Sequence, residues 1–289
     1  MALERQTTWG WLIVLDLFLG GAGAGVYAIG FVLSVLGPMK DLGIVCTMVG
    51  PILLMFGLLC LLADMIVPIR RCHRLLSGLS TSWMSRGVLI QLLFVLFGLG
   101  YALPGFWFPW WRASGFALAI GVVAFALALL TAAYHGLLFG GAKAIPIWSS
   151  PILPMLSLFV ALCTGMGLAL LISAPFAGLY TEKETSETFN LLAISGTVLI
   201  LIELISLAFL ASVRPGATYS ESVRSVKLPL TVAAALSIIC VALLAFGLTV
   251  VQVVYLLWIA TTCGILLLAA GYIIRSAIIK GGYRYPLQI

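Results

Sequence analysis

Charge is scarce in this 289-residue chain: Asp, Glu, Lys and Arg make up 8% of it, hydrophobic residues 63%, and the mean hydropathy is +1.22. A soluble domain, about a quarter of whose residues are charged, is excluded on that ground. Histidine occurs only at 73 and 135, and His73 falls in a loop, so a membrane haem held by paired histidines on facing helices lacks its ligands. The six cysteines, Cys46, Cys60, Cys72, Cys163, Cys240 and Cys263, include no C-x-x-C pair. Neither a zinc site nor an iron–sulfur cluster therefore has its local ligand density, and the expectation is no metal and small buried thiols. No phosphate-binding glycine loop is present, and no Ser/His/Asp set stands out. The basic residues flank apolar runs instead of forming a soluble basic surface, which removes a nucleic-acid reading.

What is present is a series of apolar runs long enough to cross a bilayer, at 9–36, 43–67, 84–104, 113–138, 152–174, 189–212, 228–247 and 252–276. Their continuity in Leu, Ile, Val, Ala and Gly, without polar alternation, points to helices and not to a membrane barrel. The first run is too long for a signal-peptide core and is expected to remain as a span. The weakest boundary lies near Gly247–Gln252, where one apolar stretch over 228–278 must be divided by a tight turn. The expected fold is all-α: a polytopic membrane protein of eight transmembrane helices in two four-helix bundles, 1–138 and 139–289. A faint echo between the halves suggests a parallel duplication: spans one and five each follow a Trp and contain clustered glycines.

An even number of spans puts both termini on one side. Arg5, Arg70, Arg71, Arg74, Arg86, Lys143, Arg214, Arg224, Lys227, Arg275, Lys280 and Arg284 fall on that side, and only Lys40, Arg112 and Lys183 on the other. This asymmetry predicts an inner-membrane protein with cytoplasmic termini. On the far side, Phe106, Trp107, Phe108, Trp110 and Trp111 form an aromatic interface belt, and TEKETSE (181–187) is expected to be a solvated connection.

Three acids interrupt the apolar runs, and a charge at membrane depth is costly and usually functional. Asp16 lies five residues past Trp11, about 7–8 Å deeper, and Asp64 precedes Pro68 by four residues at a similar depth. Glu203 stands about 15 Å inside its span, near mid-membrane, as a proton-path group or a structural hydrogen bond. Tyr134, His135, Trp148 and Arg86 approach the same mouth from other spans. Gly20, Gly21, Gly23 and Gly25, directly beyond Asp16, provide close helix packing or room for a flat ligand. The structural alternatives are an ion pair of Asp16 or Asp64 with Arg70, Arg71 or Arg86, and interfacial anchoring for Trp83 and Trp148.

The segments WGWLIVLDLFLGGAGAG (9–25), LLADMIVPIRR (61–71), TSWMSRG (81–87), AAYHGLLFGGAKAIPIWSSPILP (132–154) and LCTGMGLALL (162–171) together resemble the NrfD-like family of polysulfide-reductase membrane subunits. The resemblance implies an eight-span, haem-free, quinone-reactive subunit of a respiratory oxidoreductase, with menaquinone the expected quinone. It further implies a ferredoxin-type iron–sulfur subunit docked on the terminal face, leading to a redox catalytic subunit. Asp16, Asp64 and Tyr134 match polar motif positions, whereas His135 stands where the family more often has a small or hydroxylated residue. Well-known relatives meet their partner outside the cytoplasm; the loop charges of this chain place that face inside. On this reading Asp16 and Asp64 relay protons, with Glu203 on a path to the far side. Tyr134 and His135 hold a quinone oxygen, Arg86 tunes the acids, and Gly20 and Gly23 clear space. The competing functions are a secondary transporter or channel, and a purely structural anchor.

Overall fold

A lipid environment offers no hydrogen bonds to the backbone, so each apolar run closes its own as a helix. The computed structural model describes residues 4–5, 9–64, 83–140, 145, 147–212, 217–250 and 252–284. Eight of its helices are long and apolar enough to cross a membrane. They are α1 (Trp11–Leu36), α2 (Lys40–Asp64), α3 (Trp83–Trp107), α4 (Gly115–Gly140), α5 (Leu153–Phe176), α6 (Glu182–Ser212), α7 (Ala217–Gly247) and α8 (Val253–Lys280). A single helical turn, Pro109–Arg112, joins α3 to α4.

Contacts follow two closed rings. In the first, α1 touches α2, α2 touches α3, α3 touches α4 and α4 returns to α1; α5, α6, α7 and α8 repeat the pattern. The seam between the rings is made by α1 against α5 and α8, and by α4 against α5. Small residues on α1 allow this central position. Gly23 abuts the backbone of Gly50 on α2, and Gly25 abuts Ala161 on α5, where Gly165 meets it in return. Side chains at these glycines would push the helices apart. The seam is therefore a backbone-to-backbone contact.

The first and last described segments come together, Glu4 and Arg5 pairing antiparallel with Arg284 and Tyr283. The long stretch over 228–278 divides as expected, with α7 ending at Gly247 and α8 beginning at Val253.

Two expectations are corrected. Residues 182–187 are not a loop but the first turns of α6, because Thr181 and Glu184 form a reciprocal cap. The Glu184 N–H donates to Thr181 Oγ1 at 3.3 Å and the Thr181 N–H to Glu184 Oε2 at 3.0 Å, satisfying amides at the helix start. Trp148 is not an interfacial anchor. It is buried beside Trp9 and Phe139, and its indole N–H donates to the Ile278 carbonyl at 2.9 Å. Four of the five belt aromatics face outward, Phe106, Trp107, Phe108 and Trp110 being exposed, whereas Trp111 is half-buried against the first ring.

Candidate functional site

Asp16 is buried in the first ring, at the α1–α2 contact, and its Oδ1 has no hydrogen-bond partner among the described residues. Gly57 on α2 makes this position possible, since a methyl group there would come within 3.2 Å of Asp16 Oδ1. Tyr134 on α4 reaches into the same interior within electrostatic range of Asp16, and its ring lies over the bare Cα of Gly87 on α3. All four helices of the first ring thus meet around one carboxyl and one phenol, with glycine on the two helices that face them.

His135, the next residue on α4, turns toward α1 and α3. Its Nε2 lies 3.2 Å from Gln91 Nε2, its ring packs on Gly20, and Nδ1 is without a partner among the described residues. The Tyr134 and His135 rings are 5.9 Å apart. Gly20 thus leaves the His135 ring its place. Gly23 does not border this space, because its face is taken by Gly50 of α2.

Asp64 is the last residue of α2 and is half-buried, with Oδ1 3.9 Å from where a side chain at Gly10, just before α1, would begin. Asp16 and Asp64 share the α1–α2 interface but not a depth. Asp16 is level with Gly57, seven residues and about 10 Å from Asp64 along α2. Asp64 stands at the rim and Asp16 inside. Arg86 is exposed and lies over the Trp83 ring at 5.1 Å. The expected ion-pair partners Arg70 and Arg71, and likewise Cys72 and His73, lie outside the described residues.

Arg275 is the residue that sequence reasoning misplaces. Its position near a span's end predicts a loop-side cation, but it is buried at the seam, because α8 continues to Lys280 and carries Arg275 about a turn and a half inside. Its guanidinium occupies the space that a side chain at Gly21 would fill, with both terminal nitrogens lacking hydrogen-bond partners among the described residues. His135, Glu203 and Cys163 all lie within electrostatic range of it. The signal that could have found it is YIIRSAII (272–279), an arginine amid apolar residues.

Glu203 is buried in the second ring, beside Cys163 of α5 and Arg275 of α8, with Oε2 unpartnered among the described residues. Buried polar groups thus occur in both rings: Asp16, Tyr134, Gln91 and His135 in the first, Arg275 and Glu203 in the second. A cavity of about 20 Å³ touches His135 and Arg275, room for about one water between two groups that need hydrogen bonds. No group of three or more His, Cys, Asp or Glu suited to a metal occurs among the described residues. Cys240 and Cys263, far apart in sequence, do meet across α7 and α8, each sulfur facing the other's carbonyl at 3.7 and 3.9 Å.

A family model described as "Polysulphide reductase, NrfD" matches residues 2–284. A polysulfide reductase subunit of Wolinella succinogenes is 28% identical over 203 residues, covering 63% of this chain and 64% of the relative. The match thus spans somewhat under two thirds of that relative's length.

Proposed function

The chain belongs to the polysulphide reductase NrfD family, and from this premise we propose that it is the quinone-reactive membrane subunit of a multi-subunit respiratory oxidoreductase. The observation that supports this reading best is the buried Asp16 carboxyl with an unpartnered oxygen, within electrostatic range of the Tyr134 phenol, the two side chains seated against Gly57 and Gly87. An unsatisfied carboxyl oxygen in a protein interior calls for a partner.

A quinone, menaquinone being the species expected, supplies two-electron, two-proton chemistry at the site. The residues supply the rest. Tyr134 presents a hydroxyl that donates to a carbonyl oxygen or accepts from a hydroxyl, and His135 offers a second ring nitrogen held in register by Gln91. Asp16 takes or returns a proton next to that position, and Asp64 at the rim exchanges it with water. Arg86, stacked on Trp83 near the same end, adds positive potential to the mouth. Glu203 and Arg275 extend the polar route into the second ring.

Electrons pass between this site and a ferredoxin-type iron–sulfur subunit docked on the terminal face, itself serving a redox catalytic subunit. The excess of Lys and Arg on that face supports a cytoplasmic position for it. The relative from Wolinella, a polysulfide reductase subunit by name, is consistent with a place in such a complex.

The test is made on the purified complex. Solvent extraction should recover quinone in proportion to this chain, and added quinol should reduce a cluster of the partner subunit. A Tyr134→Phe complex that assembles should lose most of the bound quinone. Full quinone content and full quinol-dependent reduction in that variant would refute the assignment.

A further inference from the structure

Among the described residues the face opposite the termini holds three basic residues, Lys40, Arg112 and Lys183, and two of them line one cavity. This cavity, of about 410 Å³, lies between the end of α1, the start of α2, the end of α3 and the start of α4. Its walls include Ser34, Lys40, Tyr101, Arg112, Ser114 and Leu118. None of these belongs to the site around Asp16.

The two cations differ in state. Arg112 is fixed: it donates to the Gly105 carbonyl and pairs with Asp41, which also accepts the Tyr180 hydroxyl at 2.7 Å. Asp41 therefore cancels the charge of Arg112 and holds the guanidinium in place. Lys40 is exposed and has no acidic partner among the described residues, so the cavity keeps a net positive charge. The Ser34 and Tyr101 hydroxyls are hydrogen-bonded to each other at 2.9 Å on the inner wall.

Position along the membrane normal narrows the ligand. Trp107 and Trp110 project at the same end of α3, at the depth where indoles settle among lipid headgroups. On the membrane side the wall becomes apolar, through Val35 and Leu118, both exposed. A ligand filling this space needs an anionic head at Lys40 and a hydrocarbon tail leaving over Val35 and Leu118.

We propose that this cavity binds the phosphate of an anionic phospholipid in the leaflet opposite the termini, with Lys40 as the charge that holds it and Arg112 as a fixed hydrogen-bonding wall. A compact, hydrated ammonium on a flexible stem suits a phosphate as a point charge, and a basic pocket between membrane helices suits a lipid headgroup.

The complex, reconstituted in nanodiscs of phosphatidylcholine with a minority of phosphatidylglycerol, is tested by native mass spectrometry for phosphatidylglycerol retained on this chain. Lys40→Gln should lower retention about fivefold, the effect of one cation at the surface. Lys40→Arg should restore it, and Lys183→Gln, the far-face cation outside the cavity, should leave it unchanged. Equal retention in wild type and Lys40→Gln, or an equal loss in Lys183→Gln, overturns the proposal. Lys40-dependent binding of inorganic phosphate in nanodiscs of phosphatidylcholine alone would make the ligand a free anion and overturn the lipid assignment.

Discussion

The guanidinium of Arg275 on α8 lies against the bare Cα of Gly21 on α1, so a buried cation is seated where the central helix lacks a side chain. The contact joins the two rings of helices by a charge as well as by packing. Gly21→Ala puts a methyl group into that guanidinium, and overpacking of this kind costs about 1–3 kcal/mol. Thermal unfolding in detergent should fall accordingly. In an Arg275→Ala background the same substitution should be nearly silent, because the obstructing group is gone.

Asp16 and Asp64 should separate in function because they separate in depth. In the assembled complex Asp16→Asn should reduce quinol-dependent electron transfer about 10²-fold, the scale of a positioned proton-transfer group. Asp64→Asn should have a smaller effect, since a half-buried carboxyl at the rim can be replaced by water. Unchanged turnover in Asp16→Asn would end the relay role.

Gly87→Ala is expected to act through Tyr134. A methyl group at 87 meets the phenol ring, which must swing away from Asp16. Quinone content should fall as in Tyr134→Phe while the complex still assembles. Normal quinone content would mean that the ring position is immaterial.

Glu203→Gln should leave quinone exchange in place but stop proton movement across the membrane, measured by a pH probe inside proteoliposomes. It removes a titratable group from the second ring without changing its shape. Normal proton movement would exclude Glu203 from a path.

The far face offers a pH signature. Partial burial, and the hydrogen bond to Asp41, push the Tyr180 hydroxyl from 10.0 up to about 12. A raised folded value means that its contribution is complete below pH 10.0 and disappears as pH climbs towards about 12. Thermal scans across that window should show a loss in wild type that Tyr180→Phe lacks. Parallel curves would show that the bond adds nothing.

Asp16, Tyr134 and Glu203 are legible in the sequence as polar intrusions into apolar runs, and all three are buried. Sequence reasoning errs where a residue's role depends on its neighbours. The preference of tryptophan for the interface predicts an anchor at Trp148, yet its N–H finds the Ile278 carbonyl inside the protein. Nearness to a span's end predicts a loop-side charge at Arg275, yet Gly21 makes room for it in the interior. Polarity predicts a loop over 182–187, whereas Thr181 and Glu184 cap a helix there.

By itself the sequence determined the number of spans, their order and the placement of both termini on one side, because bilayer thickness converts apolar length directly into crossings. Family membership likewise followed from ordered motifs, matched over residues 2–284. Only the tertiary structure decided which groups come near one another: Asp16 and Tyr134, Arg275 and Glu203, Cys240 and Cys263. Helix rotation and partner choice depend on where small residues let backbones approach. That is a property of pairs of helices, and no single run of sequence contains it.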